Sequence, residues 1–368
     1  AEELRRAFGF KRSEKRMREV EVKLRDGMER NGITGEIQDR IVQAITSFAL
    51  YGFPESHAAS FALLAYASAY LKCHYLAAFT VAILNNQPMG FYSPATLVKD
   101  AQRHGQRFRP VDILLSDYLC TVETDGKAKY VRLGLNYVRG LSGAAARKIE
   151  QERKYNPFAS MRDLARRVPE LQKDEIAALS ELGALNALPK EKSDRHRRGA
   201  LWQAELALQP VGELLEPAAD DNVPSPLQPM TAGQRTHADF SNSGVTIGKH
   251  PMAYYRRRMR EMGVMDAATA KAQRNGMVLT VAGCVITRQR PGTAKGFVFM
   301  SLEDETGIVN IIVQPDLFDR RRHVCTTAPY VLIKGVLQSI TGVISVKAGD
   351  IEELSFQDAA IMQSHDFH

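Results

Sequence analysis

The sequence predicts a multidomain α+β protein in which helical units precede a small C-terminal β barrel, and three observations carry that prediction. Apolar residues recur at threes and fours as far as about residue 188. A stretch rich in proline and acid then interrupts the pattern. Beyond about residue 277 the apolar period drops to two, over five short runs separated by turn residues.

Residues 1–106 open the helical part. Ile37, Ile41, Ala44, Ile45 and Phe48 lie on one face, and Gly27, Gly32 and Gly35 punctuate the run. Phe53-Pro54-Glu55-Ser56-His57 breaks the periodicity before an alanine-rich stretch, 58–84, whose small side chains permit close helix packing. Residues 107–188 form a second unit, in which an extended piece at 129–133 precedes helices joined by glycine-containing turns. Residues 189–243 read as a basic segment and a linker. Pro210, Pro217, Pro224, Pro226 and Pro229, interspersed with Glu213, Glu216, Asp220 and Asp221, offer too little apolar surface to fold alone. The third unit, 244–356, begins with a short helix near 252–262. Strands are predicted at 278–286, 297–302, 308–313, 330–337 and 343–346, with a helix at 316–323 between the third and fourth. That order is the Greek key of a five-stranded OB barrel. Residues 357–368 remain as a tail, and no long internal repeat is visible.

Composition narrows the function classes. The 368 residues, 44% hydrophobic and 25% charged, suffice for several cores. The excess of 49 Lys and Arg over 42 Asp and Glu, a net charge of +7, favours a polyanionic partner. Cys73, Cys120, Cys284 and Cys325 show neither zinc-site spacing nor a disulfide framework, so a reducing cytoplasm is expected. No apolar run reaches the length of a membrane span. The chain opens at Ala1 without an initiator Met or signal core and reads as the interior of something longer.

Candidate binding residues fall into three groups. Arg5, Arg6, Lys11 and Arg12 suit the phosphates of a nucleotide, as Ser56, His57 and Lys72 do from the next helices. Solvated helix faces carry the same residue types, Glu14, Glu19 and Glu21 offer i,i+4 partners, and Ser56 has the character of a helix cap. The second group is Leu135-x-x-Val138-Arg139-Gly140-Leu141-Ser142-Gly143, a helix-hairpin-helix signal. Amides at the start of the second helix would hold a phosphate there, with Arg139, Arg147 and Lys148 adding charge. A second turn at Leu182-Gly183-Ala184 is either a further contact or purely structural. The third group is on the barrel. Arg288, Arg290 and Lys295 are expected on its first hairpin loop, with Phe297 and Phe299 either stacking on single-stranded DNA or facing the core.

The run Phe48-Ala49-Leu50-Tyr51-Gly52-Phe53-Pro54-Glu55-Ser56-His57-Ala58-Ala59-Ser60-Phe61-Ala62, with Tyr70-Leu71-Lys72 and His74-Tyr75, closely resembles the fingers domain of bacterial C-family DNA polymerases, the family of the polymerase III alpha subunit. Leu84-Asn85-Asn86-Gln87-Pro88-Met89-Gly90-Phe91-Tyr92 and Arg288-Gln289-Arg290-Pro291-Gly292-Thr293-Ala294-Lys295-Gly296 are similar to its error-prone, mutasome-associated branch. Leu76 departs from the family's usual proline after Tyr75.

The resemblance implies helical fingers, a helix-hairpin-helix module, a linker and an OB domain, with the palm and its Mg2+ upstream of this sequence. No catalytic residue carries over, no metal is expected on this chain, and it is expected to be inactive alone. The implied partners are primer-template and single-stranded template DNA, a deoxynucleoside triphosphate and mutasome accessory proteins, without a membrane. A sliding clamp is a further candidate, although Gln209-Pro210-Val211-Gly212-Glu213-Leu214-Leu215 does not match a Gln-x-x-Leu/Met-Phe clamp peptide. The implied role is damage-tolerant, template-directed synthesis. A stand-alone nucleic-acid binding or scaffold protein built from the same modules is the alternative. A synthetase-type OB protein finds no class-defining motif in the other domains.

Overall fold

A computed structural model describes residues 14–51, 55–90, 92–188, 195–207, 224–292, 294–340, 343–355 and 365–367. The chain divides into two compact units, Ala1–His74 and Tyr75–His368.

In the first unit α1 (Glu14–Arg30) and α2 (Glu36–Tyr51) form a helical hairpin. Gly32 and Gly35 make the reversal with φ of +76° and +70°, a region that costs L side chains strain. Met28 and Val42 are buried, and Arg25 bridges the helices to Asp39 at 2.7 Å. Then α3 (Glu55–His74) leaves Phe61, Leu63, Leu64 and Tyr66 exposed, the last at 75%.

The second unit begins with α4 (Leu76–Asn85) and α5 (Pro94–Arg103), where Ser93 caps α5 and Pro94 opens it. The expected boundary near 106 therefore lies inside this unit, because Ala77, Leu84 and Val98 are buried in one core with residues from 111 to 204. The side chain of Asn85 both donates to and accepts from the backbone of Cys120, at 2.9 and 2.8 Å. β1 (Arg107–Arg109), β2 (Thr121–Asp125) and β3 (Ala128–Arg132) form a small sheet in the order β1-β3-β2, of which the sequence showed only the last strand. A 3-10 turn (Leu135–Tyr137), α6 (Gly143–Tyr155), α7 (Met161–Arg167), α8 (Lys173–Leu182) and α9 (Arg197–Ala207) complete the helical module.

Part of the expected linker is ordered. Within 189–243, residues 189–194 and 208–223 lie outside the described residues. Residues 232–243 instead form α10 (Ala232–Ser243), with a reciprocal capping box between Thr231 and Gln234 and a left-handed Gly244 at its C-terminus. After a 3-10 turn (Pro251–Tyr254) come α11 (Arg256–Glu261) and α12 (Ala267–Lys271).

The barrel comprises β4 (Val278–Gln289), β5 (Val298–Glu303), β6 (Ile308–Val313), β7 (Tyr330–Ile340) and β8 (Val343–Glu353), with α13 (Pro315–Arg320) and α14 (Arg322–Thr327) between the third and fourth strands. The order β5-β6-β8-β7-β4 closes through a β4–β5 ladder, so the five-stranded OB expectation holds. β4 can serve two neighbours because its ladder shifts between Val285 and Thr287. Gly283 permits that closure, since a Cβ there would lie 2.9 Å from the carbonyl oxygen of Glu303. A short β9 (His365–Phe367) adds in parallel to Thr287–Gln289.

The barrel is packed against the helical module. Ala95 of α5, Phe240 of α10, Met252, Met259 and Val264 share a core with Ala282, Cys284, Ile286 and Tyr330 of the barrel. Around it lies a buried polar network. Arg103 reaches Glu303 at 2.5 Å and the Asp304 carbonyl at 3.2 Å. Arg256 donates to Asp304 at 2.9 Å and also to Glu305. Lys99 donates to the Gly248 carbonyl at 2.5 Å and Gln102 to that of Ile247 at 2.7 Å. Burial moves Glu303, Lys99 and the neighbouring His250 toward neutrality. Glu303 rises to about 7 despite Arg103, and Lys99 falls to about 8 despite Glu303 and Asp239. His250 falls to about 3, with Lys99, Arg103 and Arg256 adding to the effect of burial.

The shifts give opposite pH slopes. Below its ordinary 6.5 the unfolded chain protonates His250 while the folded chain does not until about 3, so stability falls with pH through that range. Glu303 ionises near 4.5 when unfolded and near 7 when folded, so stability falls as pH rises between those values. Urea unfolding should separate them: His250→Asn should flatten the acid limb between about pH 3 and 4.5, and between about pH 4.5 and 6.5, where the two slopes oppose each other, His250→Asn should unmask a decline with rising pH and Glu303→Gln a rise, each sloping by at most about 1.4 kcal/mol per pH unit. An acid limb identical in wild type and His250→Asn would show that the imidazole titrates normally.

Candidate nucleic-acid interface

The first hairpin runs from the 3-10 turn through Val138 to Ser142 and into α6. Gly140 has φ of +82°, which only glycine adopts without strain. Leu141 packs on the module core and anchors the loop. Ser142 caps α6, its Oγ accepting from the Ala145 amide at 3.2 Å. Gly143 then occupies the first helical position, and with Ala144 it presents amides that an α-helix leaves without intrahelical partners. The positive end of the α6 dipole coincides with them. Arg147 is exposed, and its guanidinium packs 4.3 Å from the Tyr118 ring centroid, held over the first turn of α6. Open amides, a helix N-terminus and a positioned cation suit a phosphate oxygen.

Two predicted cations have other tasks. Arg139 donates from its side chain to the Phe240 and Ser241 carbonyls, at 3.2 and 3.3 Å, and from its amide to Asn242 at 2.7 Å. It caps the C-terminus of α10, where Gly244 takes the left-handed φ of +73° that favours glycine. Lys148 pairs with Glu152 at 2.8 Å, which raises its pKa.

The turn at Gly183 ends α8 in a left-handed cap and does not join two helices directly. The second hairpin lies upstream, at Val168-Pro169-Glu170-Leu171-Gln172 between α7 and α8. It repeats Val138-x-x-Leu141 thirty positions later, with Gln172 in the place of Ser142. Each Val caps the preceding turn or helix, each Leu packs on the core, and Ser142 and Gln172 are both N-caps. The repeat was readable as a pair of spaced apolar residues, but Glu170 stands where Gly140 does and hides it. Glu175 clasps the two hairpins: one carboxylate oxygen accepts from the Ser142 amide at 2.7 Å and the other from the Gln172 amide at 2.8 Å. This buried acid is not among the residues that the sequence singles out, because its two partners come from separate hairpins.

On the barrel, Arg288 belongs to β4 and not to the loop. At 8% exposure it donates to the carbonyls of Cys325 and Ala328 and pairs with Asp366 at 3.4 Å, so the expectation that it contacts DNA is corrected: its donors hold the α14 end of the barrel. Arg290 is exposed and lies 4.4 Å over the Phe318 ring. Lys295 is exposed on the loop, with φ of +50°. Val298, Met300 and Leu302 fill the barrel, which puts Phe297 and Phe299 on its outer face, half-buried and exposed respectively. The inward alternative for the rings is thereby excluded.

The first group belongs to the unit Ala1–His74. Arg5, Arg6, Lys11 and Arg12 lie outside the described residues, as does the Ser56 side chain. His57 is exposed on α3 with its ring 4.5 Å from Phe61, edge to face, and Lys72 is half-buried on the same helix. Among the described residues no cluster of His, Cys, Asp or Glu could hold a metal ion. No described helix is long and apolar enough to cross a membrane.

Removing the clasp should loosen both hairpins at once. Glu175→Ala is expected to cost about 2–4 kcal/mol in urea unfolding, since two part-buried amides lose a charged acceptor. Glu175→Gln, which keeps one acceptor oxygen, should cost clearly less. Equal and negligible losses would mean that solvent replaces the carboxylate.

Comparison with known proteins agrees with this geometry. A family model for the helix-hairpin-helix motif matches residues 105–197, and one for the OB-fold nucleic acid binding domain matches residues 279–354. The error-prone DNA polymerase of Methylococcus capsulatus is 38% identical over 387 residues, covering 100% of this chain and 36% of the relative. That of Anaeromyxobacter dehalogenans is 39% identical over 376 residues, covering 100% and 33%. Among solved structures, asparaginyl-tRNA synthetase from Pyrococcus horikoshii matches 24% of this chain and 22% of its own at 21% identity, with a TM-score of 0.21. The chain spans about a third of the length of the curated relatives it matches, and along its whole length it is homologous to error-prone DNA polymerases.

Proposed function

We propose that this chain is the DNA-binding, nucleotide-proximal part of an error-prone polymerase of the C family, acting in damage-tolerant synthesis. The full-length similarity to error-prone DNA polymerases supports the class. The observation that carries the DNA contact is the open N-terminus of α6, with Gly143, Ala144 and Arg147. In this reading those groups hold a duplex phosphate without regard to sequence, because they meet the backbone and no base edge. Arg290, Lys295, Phe297 and Phe299 take single-stranded template, cations following the backbone and rings stacking on bases. Gly140 and Leu141 shape the first hairpin, Ser142 orients its helix, and Arg139 and Lys148 support it indirectly.

Residues of the first unit, including Arg5, Arg6, Lys11, Arg12, Ser56, His57 and Lys72, are proposed to face the incoming deoxynucleoside triphosphate. Phosphoryl transfer itself would be carried out with Mg2+ on a palm domain outside these 368 residues. Accessory proteins and a sliding clamp are further proposed partners of the full-length polymerase.

Fluorescence anisotropy on two duplexes of unrelated sequence tests the hairpin. Arg147→Ala should weaken both several-fold and equally, and lower the slope of log affinity against log salt by about 1. Arg139→Ala should lower stability by about 1 kcal/mol while leaving the salt slope unchanged. Loss on one sequence only, or an unchanged salt slope for Arg147→Ala, would overturn the phosphate reading.

A further inference from the structure

Beyond the contacts themselves, the packing bears on how the two DNA-binding surfaces work together. Three features join the hairpin module to the barrel. The helix α5 belongs to both sides: Val98 is buried in the hairpin core, Ala95 in the core shared with the barrel, and Arg103 at its end reaches Glu303 and the Asp304 carbonyl. The β5–β6 turn is gripped a second time by Arg256, which holds Asp304 and Glu305. Asp304 in turn accepts from the amides of Ala267, Thr306 and Gly307 at 2.7 to 3.0 Å, so the gripped turn is itself rigid. The intervening chain is tied down as well, by Arg139 at the end of α10 and by Lys99 and Gln102 at Gly248 and Ile247. Glu303 is 0% exposed and Asp304 2%, so screening by salt does little to loosen the grip.

We propose that Arg103 and Arg256 are positioning residues which hold the barrel loop at a fixed offset from the α6 N-terminus and so set one preferred spacing between the duplex and the single strand that the chain engages. The inference rests on the proposed function for its ligand and on the ionic joint for its geometry. A flexible connection would let the two surfaces engage any spacing with a broad optimum, whereas a rigid one rewards the single spacing that both reach without strain.

Two measurements on the full chain separate these parts. With Cys73→Ser as background, spin labels at Tyr155→Cys and Asp319→Cys report the offset without DNA. One narrow distance distribution is expected, broadened in Arg103→Ala/Arg256→Ala, where two buried carboxylates lose their cations, and narrow again in Arg103→Lys/Arg256→Lys. A broad distribution in the protein with both arginines overturns the joint whatever DNA does. Anisotropy on duplex, single-stranded and overhang-bearing DNA then reads selectivity. The overhang of optimal length should bind roughly tenfold or more tighter than either simple form. In the double Ala variant that preference should fall at least several-fold while duplex affinity stays within about twofold. A preference unchanged in a folded double Ala variant overturns the positioning role, and a narrow distance with no binding to any DNA overturns the proposed function and leaves the joint standing.

Discussion

The structure depends on a constraint at one turn: two adjacent carboxylates, Glu303 and Asp304, are buried at the end of β5, and one oxygen of each meets an arginine. Burying a charge costs several kcal/mol unless partners replace its water. Arg103 and Arg256 supply the charge, and backbone amides of Ala267, Thr306 and Gly307 fill the remaining lone pairs of Asp304. Those partners come from different elements, so satisfying one turn of the barrel fixes α5, α11 and the start of α12 around it. An all-apolar contact of the same size would not select one orientation so sharply, since hydrophobic burial is non-directional.

The hairpin module solves a related problem on a smaller scale. Helix ends leave polar groups without partners, and here side chains from distant elements meet them. Glu175 takes an amide from each hairpin, and Arg139 takes the last carbonyls of α10. The first hairpin thus keeps its outward amides at Gly143 and Ala144 while its inward ones are consumed by the fold. The second hairpin shares the scaffold, but it carries Glu170 where the first has Gly140, which sets a negative charge where a phosphate would approach. The two hairpins are alike in architecture and unlike in electrostatics. The barrel divides its cations similarly, Arg288 facing inward to backbone carbonyls and Arg290 and Lys295 remaining outside.

What the sequence determined by itself was a set of features that local backbone chemistry controls. A switch from helical to two-residue periodicity located the five strands, Gly140 before Ser142 and Gly143 located the first hairpin, and Phe297 and Phe299 alternated with Val298, although only packing decided which of those faces looks inward. These features depend on neighbours within a few positions, so they are written in order along the chain. Tertiary structure decided which charges are spent on the fold. Arg139 finds its partners about a hundred residues away, Arg103 about two hundred, and Arg288 nearly forty, and a cation read on its own gives no sign of such a carbonyl or carboxylate. The apparent linker was misjudged in part for the same reason, since α10 gains from the Arg139 cap and from Phe240 in the shared core what its own composition lacks. Partner choice for a long charged side chain is set by the three-dimensional distance between elements, and a linear sequence records only the distance along the chain.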